Sequence, residues 1–171
     1  MAWSAPRTWV AAAVLTAAQL NTDVRDNMLW LGTPKGWNIR RAATVSLTNS
    51  AFTGITFDTE VTDTDNFITA PSATVTIPTG LDGFYALSFA GTTATTFSTG
   101  GILRFVTTAS TMSNAATIDI PVTGAASNID GSYILPLPAT ATITVSLFQA
   151  SGAAVTLNSC TFVGRWLFRG T

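Results

Sequence analysis

Two pairs of carboxylates are the residues whose type and spacing come nearest to a chemical site. Asp58 and Glu60 form one pair, and Asp63 and Asp65 form the other. Paired carboxylates at this i, i+2 spacing, on a strand edge or in a turn, could serve glycoside hydrolysis or calcium binding. Calcium needs several convergent oxygen ligands, and "DTDN" lacks the glycine and the distal glutamate of an EF-hand loop. Asp63 and Asp65 are therefore weak calcium candidates, and the alternative is that these carboxylates cap backbone N–H groups.

The rest of the chain offers little for catalysis. It contains no histidine, the commonest general base and metal ligand in proteins. It has no nucleophile elbow, P-loop or zinc-protease motif, and "TGLDG" (79–83) precedes a strand rather than a helix, so it predicts a turn. Cys160 is the single cysteine and is expected to be a small buried hydrophobe. We predict that the protein is not an enzyme and uses no cofactor.

The composition favours assembly. Charged residues make up only 10% of the chain and hydrophobic residues 47%. So few charges favour a protein that buries surface against copies of itself or partners, although a soluble β-sandwich with a Thr/Ser exterior could look the same. The net charge of −1 argues against nucleic-acid binding. No apolar run reaches the length of a membrane span, and we expect the short apolar segment 10–20 to be retained rather than cleaved as a signal peptide.

The stretch "LTAAQLNTDVRDNMLWLG" (15–32) predicts one α-helix over about residues 16–31. Thr16 and Gln19 form a capping box, and Gly32 with Pro34 supplies the stop. An apolar stripe follows helical spacing, and an isolated helix of this length is marginal in water, so it needs a surface to pack on. One interpretation is that the helix covers its own β domain. The other is a docking arm, residues 1–41, that contacts a partner through Trp3, Trp9, Leu20, Val24, Met28, Trp30 and Leu31.

From residue 42 onward the hydrophobic period changes from helical spacing to two. "TITVSLF" (142–148) and "GFYALSF" (83–89) alternate apolar and small or polar residues, and turn signals recur between such runs. We predict a mainly β domain over residues 42–171, an antiparallel jelly-roll sandwich of about 8–10 strands. The apolar phase of the last segment shifts by one residue, which predicts a bulge or turn at Asn158–Ser159. Residues expected in the core or at a subunit interface are Tyr85, Leu87, Phe89, Phe162, Trp166 and Phe168.

Two resemblances give these elements a context. "ITFDTEVTDTDNFITAPSATVTIPTGLDGFYALSF" and the late "ILPLPATATITVSLFQASG…CTFVGRWL" resemble the trimeric jelly rolls of the tumour necrosis factor and complement-q type. The Gly-Asp usual before the penultimate strand of that type is replaced here by "PATAT". "AWSAPRTWVAAAVLTAAQLNTDVRDNMLWLG" is similar to a leader of bacteriophage virion proteins, of the form W-x-x-P-x-T-W followed by V-L-T-A-A-Q-L-N and V-R-D-N. Together they imply a phage structural protein with an anchor and a homotrimeric head.

The charge distribution is compatible with an anchored homotrimer. Both ends of the chain are basic and residues 42–164 are acidic. The resemblance implies that the first and last strands lie together, so that Arg40, Arg41, Arg165 and Arg169 form a basic base under an acidic head. The alternative is that these arginines pair with acids of their own subunit.

We therefore expect a virion-surface protein, made in the host cytoplasm, that binds other virion proteins. The first choice of role is a trimeric capsid decoration or head-fibre protein docked on a major capsid protein or on tail proteins. The alternative is a small tail or baseplate adhesin that binds host-surface glycans, and a distant third is an extracellular bacterial lectin-like protein or hydrolase.

Overall fold

The structure, a computed structural model, describes residues 7–8, 12, 14–96, 100–108, 117–122 and 127–169. Trp3 and Trp9 lie outside the described residues, as does the side chain of Leu31. The chain divides into two compact units, Met1–Pro34 and Lys35–Thr171, and each is described by itself. Among the described residues, no helix is both long and apolar enough to cross a membrane.

The first unit contains one continuous helical run. It consists of α1 (Ala17–Leu20), a π-helical stretch (Asn21–Asp26) and α2 (Asn27–Gly32). The predicted capping box is confirmed, because Thr16 N donates to Gln19 Oε1 at 2.9 Å and Gln19 N donates to Thr16 Oγ1 at 3.2 Å. The π-helical middle differs from the expected regular α-helix. Its wider turn is accompanied by a side-chain hydrogen bond, since Asn27 Nδ2 donates to the carbonyl of Asp23 at 3.2 Å.

The second unit is a sandwich of two antiparallel sheets, which confirms the predicted mainly β jelly roll. The strands are β1 (Gly36–Arg41), β2 (Val45–Leu47), β3 (Ala51–Gly54), β4 (Thr59–Asp63), β5 (Thr74–Thr76), β6 (Gly83–Thr93), β7 (Gly101–Thr107), β8 (Thr117–Val122), β9 (Asn128–Leu137), β10 (Thr142–Gln149) and β11 (Val155–Phe168). One sheet has the strand order β4-β1-β11-β6-β9, with β2 paired to β11, and the other has the order β3-β10-β7-β8, with β5 paired to β10.

The β domain begins earlier than the predicted residue 42. Residues 36–41, which that reading gave to the arm, form β1 and pair with both β4 and β11 inside the larger sheet. Trp37 and Ile39 are buried in the core, so this short segment belongs to the sandwich. Its alternation covers only two apolar residues and ends in two arginines, too weak a pattern to mark a strand.

The core lies between the sheets and follows the period-two pattern of the sequence. Tyr85, Leu87 and Phe89 of β6 and Phe162 of β11 are all buried, as expected for core positions. The predicted irregularity near Asn158–Ser159 is confirmed by a register shift between Leu157 and Ser159 where β11 pairs with β6.

Candidate assembly surfaces

The acidic pairs accept hydrogen bonds from groups of their own chain. The carboxylate of Asp63 accepts hydrogen bonds from the N–H groups of Asp65 at 3.3 Å, Phe67 at 3.0 Å and Ile68 at 2.9 Å. Asp65 accepts from the buried Lys35 Nζ at 3.2 Å. Within the described ranges, no group of three or more His, Cys, Asp or Glu side chains is arranged to hold a metal ion. This geometry matches the capping alternative for Asp63, whereas Asp65 accepts from side chains.

Asp58 fastens the turn after β1. Its carboxylate accepts from the N–H of Ala42 at 3.0 Å and of Ala43 at 3.1 Å, and Thr59 Oγ1 donates to it at 2.8 Å. These hydrogen bonds, the backbone ones first, and the nearby Arg41 guanidinium lower the pKa of Asp58 from 3.8 to about 2. The ionised carboxylate therefore stabilises the fold above about pH 4, and this contribution is lost as the pH falls through the folded pKa.

Asp58→Asn is expected to remove that pH dependence. The free energy of unfolding of the wild-type protein should fall more steeply than that of the variant between about pH 4 and pH 2, because only the wild type must protonate Asp58. Urea unfolding at several pH values in this window measures the difference in unfolding free energy between the two proteins. The other carboxylates are present in both proteins, so their contributions cancel in this difference. Parallel pH profiles for the two proteins would contradict the assignment.

The four arginines of the expected basic base do not meet at one place. In the β1–β11 ladder Arg165 lies opposite Gly36, while Arg41 lies opposite Cys160 at the other end. Arg41 lies beside Asp58 at 3.7 Å, and Arg169 pairs with Asp82 at 3.3 Å. These two arginines therefore follow the alternative of pairing within their own subunit. The expected convergence was wrong because antiparallel pairing carries Arg41 and Arg165 to opposite ends of the two strands.

The aromatic residues predicted in the core or at a subunit interface divide between the core and the surface. Tyr85 donates its hydroxyl to the Leu81 carbonyl at 2.6 Å inside the core, and burial raises its pKa above the ordinary range. Trp166 is half-buried, and Phe168 is 54% exposed, with its ring stacked on Phe84 at a centroid distance of 4.7 Å. Only the Phe168 end of the set is thus available to another molecule. Cys160 is buried, which raises its thiol pKa to about 12.

The outward face of the larger sheet carries apolar residues that the sequence reading did not single out. They are Phe84 of β6 and Ile134 of β9, which is 60% exposed. Tyr133 lies opposite the buried Leu87 and therefore belongs to the other face of β9, although at the sheet edge it is 45% exposed. A usable signal existed, because the alternation that turns Tyr85 inward turns Phe84 outward. Small residues fill the centre of this face, namely Ala86, Ser88 and Ala90 of β6. The result is a partly apolar surface of mostly small side chains, bordered by the edge strand β9.

The outward face of the smaller sheet has a different character. Arg104 Nε and Nη2 donate to the Asp119 carboxylate at 2.6 Å and 2.7 Å, and the guanidinium lies 3.6 Å from the Phe52 ring centroid. The hydrogen bond from Arg104 lowers the pKa of Asp119. These two charges therefore neutralise each other within one chain.

The helix of the first unit exposes its apolar face. Leu20, Val24 and Met28 are 44%, 45% and 66% exposed, and the neighbouring Leu29 is 48% exposed. The side chain of Asp23, in contrast, is buried and pairs with Arg7 Nε at 2.9 Å. A terminal helix usually buries its apolar stripe, so the exposure of this one departs from the ordinary arrangement.

The fold has counterparts among solved structures, although no protein-family model and no curated protein sequence matches the chain. The globular domain of zebrafish complement 1qA protein is similar, with a TM-score of 0.56, 16% identity, and coverage of 81% of this chain and 100% of that one. PRD1 vertex protein P5 is also similar, with a TM-score of 0.56, 15% identity, and coverage of 78% and 96%. A structure of murine APRIL at pH 8.0 gives a TM-score of 0.51 at 16% identity, covering 77% and 98%. These similarities support the jelly-roll fold that the sequence resemblance implied.

Proposed function

We propose that this protein is a non-enzymatic phage virion structural protein, a homotrimer that docks on the particle surface through its N-terminal arm. The role we favour is that of a capsid decoration or head-fibre protein bound to the major capsid protein or to tail proteins. The observation that carries the proposal is the exposed apolar row Leu20, Val24 and Met28 on a helix whose Asp23 is already paired. Exposing these apolar side chains to water is unfavourable in free energy, and burial against a partner surface would remove that penalty.

Two further observations favour a particle over another setting. The leader sequence is similar to that of phage virion proteins, and the fold is shared with a protein named as a vertex protein. The low charge content is the composition expected of a chain that buries surface in an assembly. Each of these is compatible with docking on a shell, where a subunit needs one surface for its own copies and another for the particle.

The trimer would use the outward face of the larger sheet, defined by β1, β11, β6 and β9. Phe84, Phe168 and Ile134 supply apolar area on this face, and Ala86, Ser88 and Ala90 allow close approach. A closed ring of three copies requires a heterologous contact, in which one part of the surface meets a different part on the next copy. The edge of β9, with Tyr133 exposed, can lie against the face of a neighbour in such a ring, which also covers an otherwise open strand edge.

Ile134→Asp is expected to shift the protein from trimer to monomer. A carboxylate at this site would have to give up its water to enter the interface, at a cost of several kcal/mol per contact. Thr76→Asp is the matched control, because it adds the same charge to the outward side of the smaller sheet. Light scattering of the full chain at micromolar concentration checks both variants.

The wild-type protein and the control should give three times the chain mass of 17.8 kDa, and Ile134→Asp should give one. A wild-type monomer at that concentration would overturn the trimer. If the Ile134→Asp variant is still a trimer, the subunit interface lies on another face of the domain.

A further inference from the structure

The outward face of the larger sheet forms a grid of side chains, because the strand registers align residues across it. One row reads Arg40, Thr161, Ala90 and Asp130, from β1 across β11 and β6 to β9. The next rows are Asn38, Val163, Ser88 and Ser132, then Gly36, Arg165, Ala86 and Ile134. A cation and an anion therefore stand at opposite sides of the same row, separated by two small side chains.

The two charges cannot meet within one chain. Three strand spacings of about 4.8 Å separate them, or about 14 Å across the sheet. Both side chains are exposed, and their strand neighbours Ile39 and Ile129 are buried, so both charges point outward. Within the part of the chain that the structure describes, neither has an ion-pair partner.

The two carboxylates that flank Thr59, the residue opposite Arg40, are engaged with backbone N–H groups. Asp58 accepts from the N–H groups of Ala42 and Ala43, and Glu60 accepts from the N–H of Ala70. The other sheet provides the contrast, because Arg104 and Asp119 there lie directly opposite each other and pair. Unlike that pair, Arg40 and Asp130 are placed to bind a partner with the complementary arrangement of charge.

We propose that Arg40 of one copy pairs with Asp130 of the next copy around the threefold axis, and that this ion pair sets the direction and the register of the ring. This inference rests on the proposed trimer. When three such faces surround an axis along which their strands run, the β9 side of each copy adjoins the β1 side of the next. Residues of one row then lie at the same height, so Asp130 meets Arg40, and the small Thr59 opposite Arg40 in the outer strand β4 leaves room for the contact.

Charge reversal tests the pairing. Arg40→Glu and Asp130→Arg should each raise the concentration at which the trimer dissociates at least tenfold, because each places like charges together three times in every ring. The double variant should return to within about threefold of the wild type, since the pair is restored with its sign exchanged. Sedimentation of the full chain over a concentration series measures this, and circular dichroism verifies that each variant is folded.

Arg165→Glu is the matched control. It reverses the same charge on the same face, but its row contains no carboxylate, so adding Asp130→Arg should not rescue it. Single variants that dissociate like the wild type, or a double variant no better than the singles, would overturn the pairing while leaving the trimer in place. A wild-type protein that sediments as a monomer would overturn the proposed trimer itself.

A second readout does not depend on the strength of the charge pair. Cysteines introduced at both positions should react with a maleimide cross-linker that is too short for the roughly 14 Å between them in one chain. Cys160 is buried and should not react. The expected product is a ladder ending at three linked chains, and a product limited to single chains would also overturn the pairing.

Discussion

Replacing Gly164 with alanine is expected to lower the free energy of unfolding by about 3 kcal/mol or more, among the largest effects of any single substitution in this chain. Gly164 lies in β11 beside β1, and the indole of Trp37 covers its Cα. A Cβ at this position would overlap three atoms of that ring. Trp37 cannot move away, because Phe67, Tyr85 and Phe162 pack around it at centroid distances of 5.0, 5.8 and 5.7 Å.

Urea unfolding of the Gly164→Ala variant measures this effect. Gly54→Ala is the matched control, since Gly54 also lies in a strand but its Cβ would meet no atom within 4 Å. The control should stay within about 0.5 kcal/mol of the wild type. Adding Trp37→Phe to Gly164→Ala should recover part of the loss relative to the sum of the single effects, because the smaller ring frees the space. Additive losses would show that the clash is not the cause.

Aspartates in place of Val24 and Met28 are expected to reduce incorporation into the particle at least tenfold while leaving the β domain folded. If the apolar row docks on a partner, two carboxylates would be desolvated there, and each 1.4 kcal/mol lost corresponds to a tenfold weaker affinity. Both side chains are exposed, so the substitutions remove no core contact. The amount of each variant in purified particles, relative to its amount in the infected cell, measures the effect.

Asn21→Asp is the control for the helix variant. It adds a negative charge to an exposed position of the same helical run without touching the apolar row. The control should be incorporated like the wild type. Normal incorporation of the Val24→Asp, Met28→Asp protein would rule out docking through this row.

Local patterns in the sequence predicted the elements well. The capping box at Thr16 and Gln19, and the bulge near Ser159, depend on residues close together in the chain, so they could be identified without knowledge of the fold. The buried positions Tyr85, Leu87 and Phe89 follow from strand alternation alone. The π-helical middle of the helix could not be seen, because an i, i+4 stripe is compatible with either kind of turn.

What the sequence reading missed depends on strand pairing. The arginines were expected to converge, but the position of Arg41 relative to Arg165 is set by the register of β1 against β11, which no single segment encodes. The row that aligns Arg40 with Asp130 has the same origin, since it requires the registers of three ladders. The role of Asp63 likewise depends on where the chain brings the N–H groups of Phe67 and Ile68.

The proposed virion role is tested most directly by counting this chain, by quantitative mass spectrometry, in particles purified after infection with a phage whose genome carries its coding sequence. A decoration or head-fibre protein built as a ring of three should be present in many copies per particle, in a multiple of three. A count of only a few copies per particle would contradict the decoration role and favour a tail or baseplate adhesin instead. Absence of the chain from the purified particle would contradict the proposed virion role altogether.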